Sequence, residues 1–298
     1  MHDVISAIAQ TDKLRAIAVI IRQEGPAYRP LGAVMAIYQD DSFDGHISSG
    51  CVEADIVSQC VDLENVKILR YGAGSPFLDL RLPCGGAMEV LLIPHPNQAA
   101  FQHLDETLRG RHPAAISISL EDGSISNSSA LKTGSEGDHF HLYFEPALNF
   151  LVFGNGHEAQ VFADLVDGAG YDVTLYSTNP STLENSRVSQ SAKHLMPKAK
   201  IEETNIIDRW SAITLFFHDH DLEEEILVDA LCSDAFYIGA QGSFQTHQNR
   251  LENLRQRGVA NIDRLRGPIG LIPKTRDPQT LAISVLAEIH SVAQKAEL

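Results

Sequence analysis

Apolar positions in the first half of the chain switch between two periods. Ala16 to Ile21 and Ala33 to Tyr38 are short apolar, partly β-branched runs and predict strands, joined through the stiff loop Gly25-Pro26-Ala27-Tyr28-Arg29-Pro30. After Gly50 the apolar residues Val52, Ile56, Val57 and Val61 recur at helical spacing. Glu89 to Ile93, closed by Pro94, and Ala114 to Leu120 predict further strands, and Asp122-Gly123 supplies the turn of a hairpin. A polar stretch from Glu121 to His139 leads to Tyr143-Phe144-Glu145-Pro146, where a domain boundary is expected, giving domains 1–146 and 147–298.

The second half alternates more regularly. Phe150 to Phe153, Val173 to Tyr176, Ile213 to Phe217 and Phe236 to Ile238 are short apolar runs of buried parallel-strand type. Between or after them lie helical patterns: one with Ala159, Phe162, Val166 and Ala169 on its inner face, then Leu222 to Leu231 and Phe244 to Arg257. A last helix opens on Asp277 as cap with Pro278 in its first turn and runs to about Lys295. This alternation predicts an α/β fold with a parallel sheet covered on both faces.

Composition narrows the partners. With 23 Lys plus Arg against 39 Asp plus Glu, the formal net charge is -16, a balance that repels phosphate backbones and argues against nucleic acid. No apolar run reaches the roughly 20 residues of a membrane span, and the first ten residues do not read as a signal peptide, so no membrane partner and a cytoplasmic location are expected. The four cysteines, Cys51, Cys60, Cys84 and Cys232, form no CxxC pair.

Gly154-Asn155-Gly156-His157-Glu158-Ala159 lies between a predicted strand and a predicted helix, the context in which G-x-G-x-x-A holds a pyrophosphate against free backbone N–H groups. The position after the second strand, where NAD sites carry a carboxylate for the ribose, is Ser177, so NAD(P) is not expected. The bland reading is a scaffold that binds another phosphate-bearing ligand or none. Loops Phe217-His218-Asp219-His220-Asp221 and Gly239-Ala240-Gln241-Gly242-Ser243 leave neighbouring strands, so His157, His218, His220 and Ser243 could share a crevice. His218-Asp219-His220 is weighed as a metal pair against a structural or solvated role, and no metal site is assigned.

Cys51 stands where a helix begins, after Ser49-Gly50, and Cys84 precedes Gly85-Gly86. Helix-start amides stabilise a thiolate, which predicts a lowered Cys51 pKa. Packing is an equal alternative for both thiols. Cys60 and Cys232 fall in apolar helical patterns and are expected in the core.

Taken together, Arg29-Pro30-Leu31-Gly32-Ala33, Ser49-Gly50-Cys51-Val52-Glu53, Cys84-Gly85-Gly86, Gly154-Asn155-Gly156-His157, His218-Asp219-His220, Gly242-Ser243, Pro268-Ile269-Gly270-Leu271, Arg276 and the run Ala282 to Glu288 resemble the XdhC/CoxI family of accessory proteins of molybdenum hydroxylases. The resemblance implies an N-terminal mixed α/β XdhC/CoxI domain followed by a Rossmann-like doubly wound parallel sheet. It implies a chaperone that binds the molybdenum cofactor in its molybdopterin form, protects it while a cysteine desulfurase supplies sulfur, and delivers it to an apo molybdenum hydroxylase. Self-association into a homo-oligomer such as a dimer is expected. Cys51, Cys84, the flanking Gly50, Gly85 and Gly86, Arg29, Gly154, Gly156, His157, His218, His220, Gly242, Ser243 and Arg276 are the candidate cofactor-binding residues. Departures from the family pattern are Ser177, the segment Ile272-Pro273-Lys274-Thr275, Phe244-Gln245-Thr246-His247, and Leu82-Pro83 before the second cysteine. The rivals are an NAD(P)-dependent oxidoreductase and a thiol-redox protein using Cys51 and Cys84.

Overall fold

The computed structural model describes residues 2–75, 85–201 and 207–298. The chain divides into two compact units, Met1–Pro146 and Ala147–Leu298. Cys84 lies outside the described residues.

In the first unit α1 (His2–Gln10) precedes β1 (Leu14–Glu24), β2 (Val34–Tyr38), β3 (Phe43–Asp44), α2 (Cys51–Gln59), β4 (Lys67–Gly72) and β5 (Ala87–Pro94). Then follow α3 (Ala99–Arg109), β6 (Ala114–Ser119), β7 (Ile125–Ser128), β8 (Gly134–Glu136) and β9 (His139–Phe144). The first sheet is antiparallel with order β3-β2-β1-β5-β4, and the second has order β7-β6-β9-β8. The apolar run of β1 is buried on both faces. Ile17, Val19 and Ile21 join one core with Ile5 and Ile8 of α1, Phe101 and Leu104 of α3, and Ile116 and Phe140 of the second sheet. Ala16, Ala18 and Ile20 point the other way and pack with Val52 and Ile56 of α2. The i, i+4 pair Val52/Ile56 thus seats α2 on the sheet, and Tyr71 Oη donates to Asp55 Oδ2 at 2.6 Å to fix it further.

The second unit has β10 (Asn149–Gly154), α4 (His157–Gly168), β11 (Asp172–Ser177), α5 (Pro180–Asn185), β12 (Lys193–Leu195), β13 (Ser211–Phe216), α6 (Glu224–Leu231), β14 (Tyr237–Ala240), α7 (Phe244–Gln256), β15 (Leu265–Arg266) and α8 (Pro278–Lys295). All neighbouring strands of its sheet are parallel, in the order β12-β11-β10-β13-β14-β15. The order reverses between β10 and β13, as in a doubly wound dinucleotide fold. Phe150 and Val152 face α4 and α8, while Leu151 and Phe153 face the core that includes Ile226 and Leu231 of α6 and Leu254 of α7. The expected doubly wound parallel sheet is observed. Asp277 caps α8 through its Oδ1, which accepts from Thr280 N–H at 2.7 Å, and Pro278 occupies the first turn.

Two expectations of burial are corrected. Ala169 is the exposed C-cap of α4, and Ala163 takes its place on the inner face. Cys232 is the exposed C-cap of α6 rather than a core residue, whereas Cys60, the C-cap of α2, is buried. A helix-period pattern extends one residue too far at the ends of α4 and α6, because the last turn rotates off the packed face. Among the described residues no helix is long and apolar enough to cross a membrane.

Candidate functional site

The first unit carries an open cleft of about 520 Å³ whose walls include Tyr28, Arg29, Phe43, His46, Ser49 and Gly50. Two loops build it. The β1–β2 loop presents Tyr28 and Arg29 and is tied back by Gln23 Nε2, which donates to the Arg29 carbonyl at 2.5 Å. The β3–α2 loop presents His46 to Gly50. Gly45 must be glycine there: it has φ +82°, and a Cβ would stand 2.4 Å from the Val34 carbonyl. Its close approach to β2 fixes the direction in which His46 leaves the sheet.

Glu53 holds that loop from behind. It is fully buried, and its carboxylate accepts from the N–H groups of Ser48 at 2.6 Å, Gly50 at 2.7 Å and Ile47 at 3.1 Å. Burial alone would raise its carboxyl pKa, but these amides outweigh it and hold the group below the usual carboxylate range. Gly50, at φ +125°, caps α2, and Cys51 follows as an exposed thiol at the helix start. Arg29 and Gly50 therefore line one cleft, and Cys51 directly follows Gly50 in the sequence. Gly86 approaches the same β1–β2 loop, where a Cβ would lie 2.2 Å from the Pro26 carbonyl. Gly85 is exposed with open space around its α-carbon.

The thiols differ in reach. Burial pushes the Cys60 thiol up to about 11, against smaller opposing effects of Arg15 and Lys67. Iodoacetamide at neutral pH should therefore modify the exposed Cys51 and Cys232 faster than Cys60 by about tenfold or more, read by peptide mass spectrometry. Equal labelling of Cys60 would contradict its burial.

In the second unit the glycine loop is bonded to the end of β11 and to α5. Gly154 lies against β13, where a Cβ would stand 2.6 Å from the Phe216 carbonyl. Asn155 Oδ1 accepts from Ser177 Oγ at 2.7 Å and from Thr178 N–H at 3.2 Å, and its Nδ2 donates to Thr178 Oγ1 at 2.8 Å. The Gly156 N–H donates to the hydroxyl of Thr182 at 2.9 Å. Ser177 and Thr182 are fully buried. Glu158, in the first turn of α4, places a carboxylate at the helix start and lies 3.5 Å from His218 Nε2. His157 is exposed, its Nδ1 within 3.3 Å of Gln160 Oε1. His220 opens a 3₁₀ turn, His220–Leu222.

Gly242 and Ser243 belong elsewhere. They line a second cleft, of about 740 Å³, with Phe244 and the segment from Pro268 to Thr275, and neither His157 nor His218 is among its lining residues. Ser243 uses its hydroxyl to cap α7, accepting from Thr246 N–H at 3.0 Å. Arg276 is exposed, just beyond that segment. Among the described residues no group of three His, Cys, Asp or Glu is arranged to hold a metal ion.

Sequence reasoning missed Tyr28, Phe43, His46, Glu53 and Thr182. Clues to the first three were available: Tyr28 adjoins Arg29 in a proline-bracketed loop, and Phe43 and His46 flank a glycine turn. The acceptor role of Thr182 has no local signal, since it lies 26 residues from the amide it caps.

Comparison with known proteins agrees with this architecture. Residues 150–289 match the family model described as the XdhC Rossmann domain, and residues 9–72 match that of the XdhC and CoxI family. The molybdenum cofactor insertion chaperone PaoD of Escherichia coli K12 is 32% identical over 93% of this chain and 82% of its own length. A Bacillus subtilis 168 protein, named as a probable subunit of xanthine dehydrogenase, is 23% identical over 97% of this chain and 96% of its own. A crystal structure described as a xanthine dehydrogenase from Bacillus halodurans shares the fold with a TM-score of 0.77 at 19% identity, covering 99% of this chain and 96% of that one. With family models matched in order in both halves and one relative 32% identical over 93% of this chain, the protein belongs to the XdhC and CoxI family.

Proposed function

We propose that this protein is a molybdenum cofactor chaperone that holds the cofactor as cargo in the cleft beside Cys51 and passes it to a xanthine dehydrogenase-like molybdenum hydroxylase. The observation that carries the reading is the exposed thiol at the start of α2, next to a ligand-sized cleft containing Arg29. Pockets of about 300–1,000 Å³ suit small ligands. A soft thiolate suits molybdenum or its sulfur ligands, and a guanidinium suits a phosphate. The names of the relatives support this reading: PaoD is named as an insertion chaperone, and the Bacillus subtilis protein as part of a dehydrogenase. The cargo binds transiently, and a cysteine desulfurase supplies its terminal sulfur.

We further propose that NAD(P) is not the ligand of the second unit. Ser177 is buried and bonded to Asn155, the Gly156 amide is engaged by Thr182, and Glu158 stands where a phosphate would need positive potential.

The test uses protein purified from a molybdopterin-producing host, with pterin read by fluorescence after oxidation and molybdenum by mass spectrometry. Wild type and Cys232→Ser should retain both, and Cys51→Ser should lose most of each while its stability changes by no more than about 1 kcal/mol. Full retention by a folded Cys51→Ser protein would remove the thiol from the reading.

A further inference from the structure

Among the described residues, aromatic side chains left in water are uncommon: Tyr28, Phe43 and Phe244 are the exposed large Phe and Tyr side chains, and two of the three line the cleft beside Cys51. Tyr28 is 50% exposed and Phe43 37%. The ring of His46 meets that of Phe43 edge-on, with centroids 6.0 Å apart and planes at 87°. Together the two rings make a corner, so a flat ring laid on the face of one meets the other near its own edge.

The corner is held before any ligand arrives. Phe43 lies in β3, paired opposite Ile37 of β2. Tyr38 Oη donates to Asp44 Oδ2 at 2.7 Å, which anchors the residue after it. Gly45 forces the turn against Val34, and Glu53 gathers the amides of Ile47, Ser48 and Gly50. A preorganised wall loses little freedom on binding.

The cleft also carries a positive charge. Arg15 pairs with Asp41, and Arg22 and Arg70 pair with Glu24 and Glu89. Among the described residues no carboxylate pairs with Arg29. In a chain of net charge -16, an anion needs such a local cation to overcome the general repulsion.

We propose that Tyr28, Phe43 and His46 are the stacking surface for the pterin ring of the cargo and that Arg29 binds its phosphate. This specificity assignment rests on the chaperone reading above. It places the ring and phosphate on side chains other than the thiol, so that recognition of the organic part is separable from Cys51.

The test titrates the full chain with neopterin monophosphate, a fluorescent oxidised pterin, and compares unphosphorylated neopterin, guanosine monophosphate and inorganic phosphate. Neopterin monophosphate should bind saturably with quenched fluorescence, and more tightly than guanosine monophosphate. Tyr28→Leu and Phe43→Leu should each weaken it by about tenfold, within the range of base–aromatic stacking, whereas Phe43→Trp should preserve it. Arg29→Gln should weaken the phosphorylated probe and leave neopterin unchanged. His46→Gln serves as a second ring deletion if a leucine variant melts early. Equal binding by the leucine variants, no binding of the probe, or guanosine monophosphate binding as tightly would each overturn the assignment. Pterin and molybdenum content of the same proteins from the producing host separates the two ideas. Wild type without cargo, but with the probe pattern above, would overturn the chaperone reading and with it the identity of the ring. Wild type and Phe43→Leu retaining cargo equally would overturn the stacking surface alone.

Discussion

Glu223→Ala should destabilise the second unit by about 3–5 kcal/mol, the usual loss when one member of a buried ion pair is removed. Glu223 is 1% exposed and Arg250 7%. The Nε and Nη2 groups of Arg250 converge on Glu223 Oε2 at 2.8 and 2.7 Å, and Nη2 also donates to the Gln241 carbonyl at 3.0 Å. One guanidinium therefore ties α7 to the start of α6 and to the end of β14. Without the carboxylate, its charge stays in a poorly solvated place. Trp210, the chain's one tryptophan and buried in this unit, reports the urea transition. The double change Glu223→Leu with Arg250→Met should recover much of the loss, because two apolar side chains need no compensation. A Glu223→Ala midpoint close to wild type would mean that water reaches the pair.

Gly86→Ala should destabilise the first unit by about 3 kcal/mol and lower cargo retention as well, since overpacking against backbone cannot be relieved by a rotamer change. The added methyl would meet the Pro26 carbonyl at 2.2 Å and the Glu24 carbonyl at 2.8 Å. Pro26 lies in the loop that carries Tyr28 and Arg29, so relief of the clash moves two walls of the cleft. Gly85→Ala is the control. Its Cβ meets nothing, and its φ of +73° costs only about 1–2 kcal/mol. Circular dichroism melts and pterin content, measured on both variants, separate the two cases. Equal behaviour would show that the loop shifts freely.

The strand–helix alternation of the second half was readable because each buried parallel strand is a continuous apolar run, and α8 was readable to the residue because Asp277 and Pro278 are local signals. The core of the first unit was less so. β1 feeds two cores at once, and no period distinguishes Ala16, Ala18 and Ile20 from Ile17, Val19 and Ile21. Cys51 was legible as a helix-start thiol because Gly50 precedes it. The aromatic residues of the cleft were not, because Tyr28 comes from the β1–β2 loop, Phe43 from β3 and His46 from the loop after it, and they meet only when the sheet forms. Glu53 lay inside a motif that drew attention to its cysteine, yet its carboxylate is what sets the loop. Ser243 lines the cleft with Pro268 to Thr275, a set of partners that come together from β14, α7 and the segment before α8 and that no local spacing links.

The bond from the Gly156 amide to Thr182 sets a threshold for whatever approaches the glycine loop. An anion that takes this amide must displace the buried hydroxyl first. With a net worth of roughly 1 kcal/mol for such a bond, the exchange lowers affinity by about fivefold before any new contact is counted. The same arithmetic runs in reverse for evolution. Loss of one hydroxyl at position 182 would hand the donor back, so a loop whose Gly156 amide is engaged by Thr182 stands a single substitution from offering that donor to a phosphate.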